Sequence, residues 1–285
     1  MSFFRYPGGK SKLKKVILEK IESLVVAPNS QYREPFFGGG SIGLELLTNK
    51  KISQFWINDK DFGLNCLWTS IILYPEELKE KVLQFVPSVK SFYEIKNDLI
   101  HHSLSPQTDV VEDIVSVGFK KLAIHQISYS GLGTKSGGPL GGVNQSSDYK
   151  IDCRWSPRYI CKKIDRIHKL FSEMKSVECT DFDFVDLIRA PGDNCIIYLD
   201  PPYYKKGADL YQFFFTEDDH KRLSLALQET KHSWVLSYDD CEEIRKLYSW
   251  AKITELSVNY SITALKDKET GERLSRTKSE LLITR

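Results

Sequence analysis

The stretch "QYREPFFGGGSIGLELL", Gln31 to Leu47, decides the fold class. Its first residues read as a strand, glycines follow, and "GSIGLELL" reads as a short helix. "ISQFWIND", Ile52 to Asp59, supplies a second strand, so the unit is βαβ and the class α/β. Within it, Gly38-x-Gly40-x-x-Gly43 followed by Asp59 at the end of the next strand has the form of a dinucleotide fingerprint. The physics behind that pattern is general. Glycines let the backbone approach a ligand, and an acid at the second strand tip accepts hydrogen bonds from ribose hydroxyls. Any adenosine-bearing cofactor fits, a tight turn without a ligand also fits, and Asp59 alone equally reads as a helix cap.

The same grammar extends outward. Leu13, Ile17, Ile21 and Leu24 recur at helical spacing behind Ser11, a candidate N-cap, and predict a helix to about Val26. Residues 61–100 read as helical segments broken near Pro75 and Pro87. The βα pattern resumes at "SVECTDFDFVDLI", "NCIIYLDPPYY", "TEDDHKRLSLALQE" and "SWVLSYDD", and a hairpin-like pair around "KETG" ends in "SELLITR". "CIIYL" is an unbroken apolar run, as a buried parallel strand requires. Between these halves, 101–175 reads as an inserted, mainly helical subdomain. Ile160, Ile164, Ile167, Phe171 and Met174 form one stripe behind Ser156-Pro157, an N-cap followed by proline. From Gly131 to Gly142 half the residues are glycine, which predicts a segment without a core role, mobile until a partner orders it. The expected division is 1–100, 101–175 and 176–285.

Composition narrows the function. The 285 residues are 41% hydrophobic, ample for a core, and no apolar run reaches the roughly twenty residues of a membrane span, so a soluble cytoplasmic protein without membrane contact is expected. The six cysteines show neither C-x-x-C pairs nor histidines at ligand spacing, which predicts reduced core thiols and no metal. Net charge is +2, yet Gln145–Lys175 holds eight Lys/Arg against four Asp/Glu. "FRYPGGKSKL", Phe4 to Leu13, ends like a Walker loop, but the first glycine of such a loop is replaced by Phe4, so triphosphate hydrolysis is not expected.

The stretch "IIYLDPPYY", Ile196 to Tyr204, carries the chemistry. A strand delivers Asp200 to the carboxyl end of the sheet, where open α/β folds bind ligands. Pro201 and Pro202 lack N–H groups and stiffen a backbone that offers carbonyl acceptors. A carboxylate and a carbonyl side by side suit an exocyclic amino group, whose lone pair is then free to attack an electrophilic methyl. Tyr203 offers a flat face for a base.

These motifs resemble the Dam-type, α-group adenine DNA methyltransferases. The family's aromatic-x-Gly-Gly-Lys corresponds to Tyr6-Pro7-Gly8-Gly9-Lys10, its Glu-Pro-Phe-x-Gly-x-Gly-Ser to Glu34 through Ser41, its Asn-Asp to Asn58-Asp59, and its catalytic Asp-Pro-Pro-Tyr to Asp200, Pro201, Pro202 and Tyr203. The resemblance implies a Rossmann-like S-adenosylmethionine-dependent core. It assigns Tyr6, Lys10, Glu34, Pro35, Phe36, Phe37, Gly38, Gly39, Gly40, Asp59 and Asp200 to the methyl donor, with Asp181 and Phe182 near its adenine. The reaction implied is methylation of the exocyclic amino group of adenine in a specific double-stranded DNA sequence, the base being flipped out onto Tyr203.

The insert departs from the family. Members that bind GATC carry a basic, aromatic hairpin there, which "YSGLGTKSGGPLGGVNQSSDYK" does not match, so no target sequence carries over. Its position still suggests DNA reading. Arg154, Arg158, Lys162 and Lys163 are candidates for phosphate contacts, and Ser130, Lys135, Asn144 and Gln145 for base edges. The expected partner is duplex DNA, the expected state a monomer or weak dimer. Competing readings are amino methylation of cytosine, a nicotinamide-dependent oxidoreductase, which leaves Asp-Pro-Pro-Tyr unexplained, and a DNA-binding module without catalysis.

Overall fold

Strand β4 (Cys195–Leu199) is buried at every position, and it stands in the middle of a seven-stranded sheet. The computed structural model describes residues 3, 4, 6, 10, 13–25, 30–49, 52–102, 110–205, 214–266 and 273–285, with backbone only over 258–266 and 273–278. In chain order the elements are α1 (Lys14–Ser23), β1 (Gln31–Glu34), α2 (Gly43–Thr48), β2 (Gln54–Asn58), α3 (Phe62–Leu73), α4 (Pro75–Gln84), α5 (Val89–His102), α6 (Val111–Ile127), α7 (Pro157–Ser172), β3 (Ser176–Thr180) and α8 (Phe184–Arg189). After β4 come α9 (Glu217–Glu229), β5 (Ser233–Asp239), α10 (Glu242–Leu247), β6 (Lys252–Lys266) and β7 (Arg273–Thr284). The sheet order is β3-β2-β1-β4-β5-β7-β6, with the first five strands parallel and β7 antiparallel to both neighbours.

Side chains alternate across the strands, so the sheet separates two apolar layers. Ile196, Tyr198, Val235 and Leu282 face the larger layer, built with α1–α7, while Cys195, Ile197, Leu199, Trp234, Leu236 and Ile283 face the smaller one with α8–α10. Burial on both faces explains why β4 reads as a continuous apolar run. Strand order reverses between β1 and β4, which opens a crevice beyond their carboxyl ends. Glu34 and Asp200 stand at that crevice.

Several expectations are adjusted. Helix α1 ends at Ser23, with Leu24 as its C-cap, short of Val26, and its N-cap is Leu13 without a side-chain bond; Ser11 lies outside the described residues, as do Pro7, Gly8, Gly9 and the turn "KETG". The helix cap near Asp59 is Asp61, whose carboxylate accepts from the Leu64 N–H. Residue 101 falls inside α5, and among the described residues α6 and α7 share one apolar cluster with α1–α4. Cys153 is exposed, unlike the buried Cys66, Cys195 and Cys241, so it is no core thiol. Burial pushes the Cys66 thiol up to about 12.

The glycine-rich segment does have a packed side. Gly131, Gly133, Ser136, Pro139 and Leu140 are buried, because the missing side chains let the segment fold back on α6. Ser128 and Pro139 form a β-bridge, the Leu140 N–H donates to the Ile127 carbonyl at 2.7 Å, and Nζ of Lys96 donates to the Ser136 carbonyl at 2.9 Å.

Helices α3 and α6 touch through Gly118, where a Cβ would lie 2.8–2.9 Å from the Cys66 and Leu67 backbone. Alanine improves helix propensity by about 1 kcal/mol but overpacks a backbone contact at about 1–3 kcal/mol. Gly118→Ala is therefore expected to lower Tm by several degrees in thermal denaturation; an unchanged or higher Tm shows that the two helices separate freely.

Candidate active site

Beyond β1 the chain turns sharply through Phe36–Gly40, and Gly38 and Gly40 take φ of +49° and +65°, where side chains are strained. A Cβ at Gly38 would also lie 2.7 Å from the Tyr6 ring. The turn is held from below. The Gly38 N–H donates to Asp59 Oδ2 at 2.8 Å, its carbonyl accepts from Trp68 Nε1 at 3.0 Å, and Asp59 Oδ1 accepts from the Asp61 N–H at 3.0 Å. Asn58, buried beside it, ties the turn to the loop after β3: its amide donates to the Pro35 and Phe182 carbonyls and accepts from the Phe182 N–H at 2.8 Å. Burial pushes the Asp59 carboxyl up to about 7, with Asp61 adding and the two amides opposing.

Between this turn and β4 lies a cavity of about 300 Å³. Phe36, Phe182, Phe184 and Phe215 give it apolar walls, and Phe36 meets Phe184 and Phe215 with ring centroids 5.7 and 5.5 Å apart. Six carboxyl groups border it: Glu34, Asp59, Asp61, Asp183, Asp200 and Asp219. Lys60 is the sole basic residue among the described lining. Glu34, buried at the end of β1, accepts from the Tyr32 hydroxyl at 2.9 Å, and burial raises its carboxyl well above the usual range.

At the floor, four elements meet in a polar cluster. Nζ of Lys10, itself buried, lies 2.6 Å from Asp200 Oδ1 and donates to the Tyr203 hydroxyl, 4.5 Å from that ring's centroid. The Tyr203 hydroxyl donates to Glu280 Oε2 at 2.8 Å, and Glu280 stands 3.8 Å from Lys10. Ser237 donates to Asp200 Oδ1 at 3.1 Å. Burial raises the Asp200 carboxyl, opposed by the Lys10 ammonium. Asp239, at the end of β5, accepts from the Tyr204 N–H at 3.0 Å and fixes the chain just past the two prolines.

Of the residues expected to hold a cofactor, Tyr6, Glu34, Pro35, Phe36, Phe37, Gly38, Gly39, Gly40, Asp59, Phe182 and Asp200 line the cavity, together with Pro202. Lys10, Pro201 and Tyr203 are outside its lining, with Lys10 joined to it through Asp200 and Tyr203 through Lys10. Asp181 is outside the lining, its carbonyl accepting from Lys60, whereas Asp183 borders the cavity and caps α8. Sequence reasoning missed Asn58 as a strut, Phe215 as a wall, and Ser237 and Glu280 in the polar cluster. Only Asn58 left a signal, as neighbour of the acid that ends β2.

The DNA candidates separate. Ser130, Lys135, Asn144, Arg158 and Lys162 are exposed, and Arg154 is half-buried. Gln145 is committed inside its loop: its amide donates to the Leu140 and Gly142 carbonyls and accepts from the Ile151 N–H, so it has no donor left for a base edge. Lys163 donates to the Phe3 carbonyl at 3.0 Å, turned toward the protein. The glycine-rich segment adjoins the cavity through His125, whose Nδ1 lies 2.8 Å from the Gly131 carbonyl and whose ring packs 5.3 Å from Tyr6. Burial pushes the His125 imidazole down to about 3, so it stays neutral.

No curated protein sequence matches the chain significantly. No helix among the described residues is long and apolar enough to cross a membrane, and no cluster of metal-ligating side chains occurs among them. Residues 6–262, which span every motif of the crevice except the strand carrying Glu280, match the D12 class N6 adenine-specific DNA methyltransferases, and the chain belongs to that family.

Proposed function

We propose that the chain, as a member of the N6 adenine-specific DNA methyltransferases, takes its methyl group from S-adenosylmethionine bound in the cavity at the glycine turn, and that the target adenine, flipped out of duplex DNA, is held at Asp200–Tyr203. The observation that carries this reading is the Asp200 carboxylate. Among the described residues its partners, Lys10 and Ser237, both engage Oδ1, while Asp200 borders the cavity. Oδ2 is then the acceptor for one amino hydrogen, and the Pro201 carbonyl stands next in the chain for the second.

The cavity fits the donor better than a dinucleotide. The Gly38 N–H, a donor that a pyrophosphate would need, is taken by Asp59, and an acidic lining with Lys60 as its sole described base disfavours phosphate. The same surroundings accept a sulfonium cation, and the phenylalanine walls suit an adenine. When bound, S-adenosylmethionine supplies a methyl group on a positively charged sulfur. The chain's part is positional and electrostatic: Asp200 accepts from the amino group as positive charge develops on its nitrogen, and the Tyr203 ring, anchored at its hydroxyl, carries the base. The exposed Ser130, Lys135 and Asn144 read base edges, and Arg154, Arg158 and Lys162 meet phosphates.

Three measurements check this. With the Asp59 carboxyl at about 7 and the ionised form needed for the ribose, donor affinity measured by calorimetry is expected to be about tenfold weaker at pH 6 than at pH 8. Asp59→Asn should flatten that dependence, and NAD should not bind; a flat wild-type profile or tight NAD binding contradicts the assignment. Asp200→Ala is expected to lose about a hundredfold or more in transfer of a tritiated methyl to plasmid DNA while DNA binding persists, whereas wild-type turnover in that variant removes the motif from the chemistry. In salt titrations of DNA binding, Lys162→Ala should lower the slope by about one, and Lys163→Ala should leave it unchanged. The reverse pattern would show that Lys163 leaves the Phe3 carbonyl for the duplex.

A further inference from the structure

Glu280 lies near the end of the antiparallel strand β7, opposite Asp239 of β5, and its side chain is buried among the groups of the proposed active site. Among the described residues it meets the Tyr203 hydroxyl, 2.8 Å from Oε2, and the Lys10 ammonium at 3.8 Å, which also lies 2.6 Å from Asp200. One cation thus stands between two carboxylates. A lysine paired with Asp200 alone would cancel its charge at the point where positive charge develops on the target nitrogen. With Glu280 present, the three ionised groups sum to one negative charge. In a buried site that remaining charge acts at low effective dielectric, where it counts for far more than in water.

We propose that Glu280 is a positioning residue for methyl transfer: it draws on Lys10 and anchors the Tyr203 hydroxyl, so that Asp200 keeps acceptor capacity and the base-stacking ring is held still. Glu280 touches neither substrate; it acts through Lys10, Tyr203 and Asp200. The inference rests on the reading of Asp200–Tyr203 as the adenine site. It draws support from the ionisable groups facing Asp200, which are Lys10 from the N-terminal loop, Glu34 on β1, Tyr198 on β4, Tyr238 on β5 and Glu280 on β7. Among these, Glu280 raises the Asp200 carboxyl and Lys10 lowers it.

Glutamine at 280 separates charge from shape, since its amide oxygen still accepts from Tyr203. Single-turnover methylation of plasmid DNA is followed across pH for the wild type and for Glu280→Gln, Glu280→Asp and Asp200→Ala, with donor binding and Tm measured on each. Glu280→Gln is expected to lower the rate about tenfold or more with donor binding and Tm retained. Loss of the neighbouring charge lowers the Asp200 pKa, and the ionised carboxylate is the active form, so the acidic limb of the rate profile should move to lower pH. Glu280→Asp should restore both rate and limb in part. A Glu280→Gln enzyme with the wild-type rate, or with a lower rate and an unmoved limb, overturns the proposal. Should Glu280→Gln not fold, Tyr203→Phe cuts the same link from the other side, and a wild-type rate in that variant overturns it equally. A wild-type chain that transfers no methyl to adenine sinks the functional reading itself; a wild type that transfers methyl, beside an unaffected Glu280→Gln, sinks this inference alone.

Discussion

A carboxylate held largely out of water is the constraint on which the rest of this structure depends. Asp200 stands at the end of β4, the strand covered on both faces, and removing its charge from water costs several kcal/mol unless partners offset it. The offset is assembled from distant parts of the chain. Lys10 comes from the N-terminal loop and Ser237 from β5, while Glu280 of β7, drawn to the same lysine, works against them. A sheet that brings β1, β4, β5 and β7 into adjacency is what makes these meetings possible. The order of strands is thus as much part of the site as any side chain.

The second half of the crevice solves a different problem, that of holding an open turn. Gly38 and Gly40 supply the backbone conformation, but conformation alone does not fix a loop. Asp59 takes the Gly38 N–H, Trp68 takes its carbonyl, and Asn58 links Pro35 to Phe182 across the β2 end. Each bond uses a polar group that burial would otherwise leave unmet. Asp59 therefore bears two duties, structural support of the turn and the proposed contact to a ribose, and its carboxyl at about 7 reflects the burial that the first duty imposes.

Legibility in the sequence follows the range of the interactions. The turn from β1 to α2, the all-apolar β4, the stripe of α7 and the breaks at Pro75 and Pro87 are local patterns, and each appears in the structure near its expected place. So too does the gathering of Tyr6, Glu34–Gly40 and Asp200 around one cavity: the strand ends bring the glycine turn and Asp200 together, while Tyr6 and Glu34 were legible only through the family resemblance. Glu280 and Ser237 were illegible for the converse reason. Their roles arise from the pairing of β5 with β7, in which Asp239 faces Glu280, and no periodicity announces which residue of "SELLITR" reaches the crevice. The glycine-rich segment misled in a third way. Composition denied it a core, yet small size is what lets Gly133 lie against the His125 ring and the segment pack down on α6.

That packing also sets what lies between the two proposed binding regions. Tyr6 borders the cavity and touches the glycine turn at Gly38; His125 packs against Tyr6 and holds the carbonyl of Gly131. The proposed DNA-reading segment and the proposed donor site are therefore separated by two rings. Being neutral, His125 adds no charge to this junction and acts by shape and a single hydrogen bond. These contacts form an unbroken path of packed groups from the glycine turn to Gly131. Any change in DNA affinity that donor binding produced along it would be matched by an equal change in donor affinity on DNA binding, because linkage between two sites is reciprocal.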